Sequence, residues 1–309
     1  MSQPDLDTET LLRDSFERLA DRAPDGHEVR NALARARQSR RRRPRLALAA
    51  VAAAVVVATI GVSLVATWPT RVAPAASEPV LGYTPTWLPD GFTEQYRSAG
   101  PGLAPQVRRW FAGPSRIELS AFSTKDPEWS ATALRISAPQ DQILVHGRVA
   151  MLTGSATSAV LTWSPDDTHV LRAQVDAVPS ARTVARQIAN DVTAAEPTRI
   201  RGEARFGSLP SGLRETATAV SGTTPADATT TLEAGPVRAT LGAASPGLGG
   251  SVPATVRGIP GAAAADLVTV RLASGRWLTV QGPVPRAQLL AVANAVVLDP
   301  APDYGWLGS

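Results

Sequence analysis

The sequence contains no cysteine. Disulfide bonds, thiolate metal sites and lipid-modified cysteines are therefore excluded. Any folded part must be stabilised by its hydrophobic core alone. The roughly 240 residues that follow Trp68 are enough for one or two domains of that kind.

Signatures of catalysis and of cofactor binding are also missing. The chain has neither a Gly-x-Ser-x-Gly motif nor a phosphate-binding loop. Of the three histidines, His169 lies near Asp166 and Asp167, which suggests metal ligands. A turn is the better interpretation, because Pro165 followed by two aspartates is typical of a hairpin turn. The sequence predicts a protein that is not an enzyme and has no catalytic residues, metal or cofactor.

The excess of positive charge is small and local. Residues 1–45 hold 11 arginines and 8 acidic residues, a net charge of +3. The rest of the chain holds 20 basic and 19 acidic residues, a net charge of +1. This distribution does not fit a basic surface for nucleic acid, so no nucleic-acid partner is predicted.

The longest apolar run, from Leu46 to Thr67, holds 22 residues without a charge. At about 1.5 Å per helical residue, it is long enough to cross the hydrocarbon core of a lipid bilayer. Trp68 follows the run, and a cluster of arginines precedes it: Arg40, Arg41, Arg42, Arg43 and Arg45. Because positive charge stays in the cytoplasm during insertion, the N-terminus is predicted to be cytoplasmic and the C-terminal part extracytoplasmic.

This topology divides the chain into a cytoplasmic head (1–45), a transmembrane signal anchor (46–68) in the cell membrane and a Pro/Ala-rich linker (69–80). A second interpretation is late cleavage of the anchor, since the small-residue triplet 73–75 follows it.

Two short amphipathic helices are predicted in the head, separated by a break at Pro24. Two helices this short cannot bury their apolar stripes well alone. The stripes either contact each other or the membrane surface, or they form a docking surface for a cytoplasmic protein. The candidate partner-binding residues are Leu12, Phe16, Leu19, Val29 and Leu33.

The layout of a short helical head, an arginine cluster, one apolar span and an Ala/Pro-rich exported half resembles actinobacterial anti-sigma-factor-like single-pass membrane proteins. The resemblance implies that the head binds a sigma factor. Zinc-binding members of that group carry His-x-x-x-Cys-x-x-Cys, whereas no cysteine follows His27. The resemblance therefore implies no zinc.

The part after the linker contains an internal duplication, with copy 1 at 81–199 and copy 2 at 200–309. Short motifs recur in the same order in both copies, which chance explains poorly. They include Leu88-Pro89-x-Gly91 with Leu209-Pro210-x-Gly212, Ala112-Gly113-Pro114-x-Arg116 with Ala234-Gly235-Pro236-x-Arg238, and Ile188-Ala189-Asn190 with Val292-Ala293-Asn294.

Each copy is predicted to contain antiparallel hairpins followed by one helix. In copy 1 the hairpins comprise Val107 to Ala112 with Arg116 to Phe122, and Val160 to Trp163 with Val170 to Val175. The closing helices begin at Ser180 and near Pro285. The predicted fold class is α+β, in which the two copies form tandem, antiparallel sheet-plus-helix modules. Whether the two modules pack against each other is left open by the sequence.

These observations favour a regulatory or sensor-like membrane protein. Its exported modules would bind an envelope ligand or protein, and its head would bind a regulator such as a sigma factor. The alternative is an envelope binding or scaffolding protein with an inert anchor. Four tryptophans (Trp87, Trp110, Trp163 and Trp277) serve either the core or a ligand groove.

Overall fold

The structure is a computed structural model that describes residues 80–126, 141–247 and 249–309. The first elements in chain order are β1 (Val80–Pro85), β2 (Thr93–Ala99), β3 (Gln106–Ala112), β4 (Ser115–Ser123), β5 (Gln142–Val145), β6 (Arg148–Gly154), β7 (Ser158–Trp163), β8 (His169–Asp176), α1 (Ala181–Asp191) and β9 (Val192–Arg199). They are followed by β10 (Ala204–Phe206), β11 (Glu215–Ser221), β12 (Thr229–Ala234), β13 (Val237–Gly242), β14 (Val252–Val256), β15 (Ile259–Ala263), β16 (Leu267–Arg271), β17 (Trp277–Gln281), α2 (Arg286–Ala295) and β18 (Val296–Leu298).

The predicted α+β fold class is wrong. Of the described residues, 50% lie in strands and 10% in helices, so this part of the chain is mainly β. Fourteen strands form one antiparallel sheet that runs through both copies, which answers the question of whether the two modules pack together. The sheet is continuous because Tyr96–Ala99 of β2 pair with Thr218–Ser221 of β11, a contact that no local pattern reveals.

The order of strands is the same on both sides of this junction. Outward from β2 it is β3, β4, β8, β7, β6 and β5, and outward from β11 it is β12, β13, β17, β16, β15 and β14. Each of these strands in copy 1 therefore has a counterpart in copy 2 at the same distance from the junction. Strands β5 and β14 are the two terminal strands of the sheet.

Both helices pack on the same face of the sheet, here called the helix face. Ile188 of α1 and Leu289 of α2 are fully buried against it, each in the core of its own copy. One row of directly opposed residues runs along this face, and it comprises Leu161, Ala173, Leu119, Arg108, Arg97, Val220, Thr230, Leu241, Leu278 and Val270. The opposite side of the sheet is here called the outer face.

Two ribbons and the C-terminal segment pack at the junction of the two copies. Strand β1 pairs with β9 and β10 pairs with β18, outside the main sheet. Leu81 of β1, Val220 of β11, Tyr304 and Leu307 belong to one buried cluster. This cluster separates the two larger cores, so the junction has a core of its own.

The C-terminal residues hydrogen-bond to β2. The backbone N–H of Gly308 donates to the carbonyl oxygen of Glu94 at 3.0 Å, and the N–H of Glu94 donates to the carbonyl oxygen of Ser309 at 3.0 Å. The end of copy 2 is therefore connected directly to the first sheet strand of copy 1.

Several predictions of local structure are confirmed. The first predicted hairpin corresponds to β3 and β4, the second to β7 and β8, and the predicted helices to α1 and α2. Gly91 and Gly212 of the repeated Leu-Pro-x-Gly motif have φ of 82° and 87°. Both positions favour glycine, since other residues rarely adopt positive φ.

None of the helices in the described ranges is long and apolar enough to cross a membrane. The predicted anchor at 46–68 lies outside those ranges, as do the head at 1–45 and the linker up to residue 79. The anchor and its topology remain predictions.

Candidate partner-binding surfaces

The site residues predicted from the sequence all lie outside the described part of the chain. These are the head residues Leu12, Phe16, Leu19, Val29 and Leu33, and the membrane-flanking residues Arg40, Arg41, Arg42, Arg43, Arg45 and Trp68. Their roles remain predictions, and the described residues offer different candidates.

An exposed apolar pair lies on the hairpin of β5 and β6. The side chains belong to Leu144 and Val149, which are 67% and 63% exposed and are the two most exposed large hydrophobic residues of the described ranges. They are directly opposed across the hairpin, on the outer face. Because β5 is a terminal strand, the pair lies at one end of the sheet.

The local sequence explains why this pair faces outward. His146 and Gly147 both have positive φ, 48° and 77°, as a tight two-residue hairpin turn requires. Side chains alternate between faces along each strand, and the flanking Val145 and Ala150 are buried in the core at 1% exposure. Alternation therefore places Leu144 and Val149 on the outer face.

The opposite end of the sheet is built differently. The pair equivalent to Leu144 and Val149 is Thr255 and Pro260, the second pair before the turn of β14 and β15. Strand β14 also contains Pro253, which has no N–H to donate. Proline on a terminal strand hinders pairing with a further strand. β5 contains neither proline nor charge, so only the β14 end has this protection.

Asp166, one of the residues considered as metal ligands, accepts hydrogen bonds from protein groups instead. Its donors include the Tyr83 hydroxyl at 3.0 Å and the Thr168 N–H and hydroxyl at 2.6 and 2.7 Å, while the His169 ring lies 3.1 Å away. Desolvation raises the pKa of Asp166, but these hydrogen bonds outweigh it and hold the pKa well below its usual range. The cluster connects β1 to the turn between β7 and β8.

A second polar cluster is buried on the helix face, near the junction. Both carboxylate oxygens of Glu94 accept two hydrogen bonds each, from Arg97 at 2.9 and 2.8 Å and from Arg108 at 2.7 and 2.9 Å. Desolvation raises the pKa of Glu94, but the two guanidinium groups lower it more, and the net shift is downward. Trp306 stacks on Arg97 at 4.2 Å. With the carboxylate engaged in this way, we assign the cluster to stability.

The tryptophans divide between the core and the surface. Trp110 and Trp163 are buried at 4% and 3% exposure in the core of copy 1, and Trp87 packs partly against that core. Of the two roles considered for the tryptophans, these three residues therefore have the role in the core. Trp277 is directly opposed to Arg271 and Gly242 on the outer face and is partly exposed.

Neither the exposed pair nor the Glu94 cluster was predicted. The hairpin tip carries a weak signal, because Val145-x-Gly147 recurs as Val256-x-Gly258. The Glu94 cluster has no signal in the sequence. Strand alternation alone would place Glu94 and Arg97 on opposite faces, a register shift between Glu94 and Tyr96 brings them together, and Arg108 joins them only when β2 and β3 pair.

No protein-family model matches the chain, and no curated protein matches it. The structure is similar to MucB in complex with MucA(peri) and to the complex of Pseudomonas aeruginosa MucA/MucB, each with 15% identity, a TM-score of 0.21, and coverage of 72% of this chain and 93% of that chain. MucB alone has the same identity and TM-score, with 92% of its chain covered. Similarity this low carries no information about the function of this chain.

Proposed function

We propose that this chain is a membrane-anchored, non-enzymatic binding protein. Its folded domain binds an extended segment of a protein partner along β5, on the extracytoplasmic side. The supporting observation is the exposed pair of Leu144 and Val149 on the terminal hairpin.

A terminal strand can bind an extended segment through its backbone. Alternate residues of an antiparallel edge direct their N–H and C=O groups away from the sheet, where a further strand can pair with them. Within the described ranges, no strand pairs with the outer edge of β5. The bound segment would extend the sheet by one strand.

The side chains define the chemistry of the partner. Every second side chain of a bound segment would lie on the outer face beside Leu144, so an apolar residue there would be buried. The residues of β5 (Gln142–Val145) are uncharged. The preferred segment is therefore short, extended and apolar at alternate positions.

This surface is tested by exchanging its apolar pair for charges. Leu144→Asp combined with Val149→Asp is expected to weaken partner binding at least about tenfold, because the charged groups cannot be buried against an apolar segment. A photo-crosslinking residue at position 144 of the full chain in native membranes identifies the partner. Titration of the purified partner then gives the affinity.

Thr255→Asp combined with Pro260→Asp is the matched control, since it introduces the same two charges at the equivalent pair of β14 and β15. It should leave affinity unchanged. Equal affinity of the wild type and the Leu144/Val149 variant would refute the proposal. A crosslink to a second copy, or to the chain's own residues 127–140, would also refute it by assigning the edge to that occupant.

For the head we propose binding of a cytoplasmic regulator such as a sigma factor. This part rests on the sequence, in which two amphipathic stripes precede the predicted anchor. Replacing Leu12 and Phe16 by aspartate in the full chain should abolish co-purification of an identified sigma factor, because charges would interrupt the first stripe. Replacing Arg13 and Glu17, polar residues outside the apolar stripe of the same predicted helix, by alanine is the control. Retention of the sigma factor by the aspartate variant, or its absence from wild-type preparations, favours the inert-anchor alternative.

A further inference from the structure

Copy 2 has an open hollow of about 530 Å³. It lies at the ends of β12, β13, β16 and β17. Its charged and polar lining residues are Glu233, Arg238, Asp266 and Gln281, and its apolar walls include Pro236 and Pro283.

The equivalent position in copy 1 is occupied by an internal ion pair. Arg116 of β4 is directly opposed to Asp176 of β8 and donates to it at 2.6 Å. Ser158 and Gln174 also donate to Asp176, each at 2.8 Å. The carboxylate is therefore engaged by three side chains of the protein itself.

Copy 2 lacks this arrangement. Its equivalent pair is Arg238 of β13 and Gln281 of β17, so an amide replaces the carboxylate. Leu267 stands in place of Ser158. Arg238 instead donates across the β12–β13 hairpin to Oε1 of Glu233, at 3.0 and 2.8 Å.

This rearrangement leaves acceptors for a ligand. Both bonds from Arg238 go to Oε1 of Glu233, so Oε2 is available. In the described part of the chain, the side chains of Asp266 and Gln281 are exposed and have no hydrogen-bond partner. Two carboxylates and one guanidinium give the lining a net charge of −1.

We propose that this hollow binds an alkylammonium group, the chemistry shared by a lysine side chain and a free alkylamine. The excess acceptors and the net negative charge favour a cation that donates several hydrogen bonds. The backbone N–H of Gly282 donates to the carbonyl oxygen of Asp266 at 3.0 Å, so Asp266 lies beside Gln281–Gly282. The Asp266 carboxylate and the Gln281 amide oxygen would accept from the ammonium.

The remaining walls fit the rest of such a ligand. Pro236 and Pro283 offer apolar surface for the methylene stem. Nη1 of Arg238 is not used in the pair with Glu233 and could donate to a peptide carbonyl beside the stem. A lysine residue within a peptide would therefore bind more tightly than a free alkylamine.

The test uses the full chain in nanodiscs and calorimetric titration with Nα-acetyl-lysine methylamide. We expect saturable binding that Asp266→Asn weakens about tenfold, the loss of one charge-assisted hydrogen bond. Folding should be unaffected, because Asp266 is exposed and its side chain has no partner in the described ranges. Glu196→Gln, at an exposed residue of β9, is the control for net charge.

Two further ligands distinguish a lysine residue of a protein from a free alkylamine as the source of the ammonium group. Tighter binding of the lysine derivative than of butylammonium supports a lysine residue of a protein, and equal binding supports a free amine. If the uncharged norleucine derivative bound as tightly as the lysine derivative, the proposal would be overturned. Equal effects of Asp266→Asn and Glu196→Gln, or no saturable binding, would overturn it as well.

Discussion

Glu94→Ala is expected to lower the free energy of unfolding by about 3–5 kcal/mol. The side chain of Glu94 is buried and accepts four hydrogen bonds, so its removal leaves the guanidinium groups of Arg97 and Arg108 without a counter-charge. The side chains of those arginines are only 10% and 11% exposed, and water cannot readily replace the carboxylate. Urea unfolding of the full chain in nanodiscs measures the change.

The matched control is Glu118→Ala, which removes a carboxylate bound to Arg109 at 2.6 Å. The side chain of Arg109 is 33% exposed, so its charge can be hydrated, and the expected loss is only about 1 kcal/mol. Equal losses for the two variants would contradict the assignment of the Glu94 cluster to stability.

The contribution of Glu94 should also depend on pH. Its pKa in the folded state lies below the ordinary value of 4.5, so the folded protein releases this proton more readily than the unfolded chain does. The stabilisation is therefore present above that ordinary value and is lost as pH falls through the lower, folded-state pKa. The difference in unfolding free energy between the wild type and Glu94→Gln should shrink when measured at progressively lower pH.

Ile188→Ala should destabilise the domain by about 2–5 kcal/mol, because it opens a cavity between α1 and the sheet. Ile188 is 0% exposed and lies in the core of copy 1. Leu144→Ala, at the exposed end of the same copy, is the control and should change stability by less than about 0.5 kcal/mol. Thermal unfolding followed by circular dichroism measures both variants.

The same thermal unfolding experiment tests whether the two copies unfold together as one cooperative unit. Because β2 pairs with β11, we expect one cooperative transition, which Ile188→Ala in copy 1 and Leu289→Ala in copy 2 both shift downward. Two transitions, each sensitive to only one variant, would mean that the copies unfold independently.

Much of the secondary structure was predictable because its signals are local. Alternation of Ile117, Leu119 and Ala121 indicates a strand with one buried face, and all three are buried. Helical spacing of Leu289 and Val292 after Pro285 likewise indicates α2, where both are buried. These patterns arise from neighbouring residues and need no knowledge of the rest of the fold.

The candidate binding surfaces were much less predictable. Leu144 and Val149 resemble core residues in the sequence, and their exposure depends on β5 being the last strand of the sheet. The acceptors around Asp266 depend on the side chain of Arg238, which donates to Glu233 across a hairpin and not to Gln281, its directly opposed residue on β17. The first surface depends on the order of strands and the second on which side chains bond across paired strands, and residue periodicity determines neither.

The sequence by itself determined the absence of disulfides, the motifs shared by the two copies, and the positions of both helices and the main hairpins. Only the tertiary structure decided that the copies share one sheet, that Glu94 lies buried between two arginines, and which end of the sheet carries an exposed apolar pair. The physical reason is separation along the chain. Ala99 and Thr218 become partners through backbone hydrogen bonds, which every residue type except proline can form, so side-chain patterns do not specify the pairing.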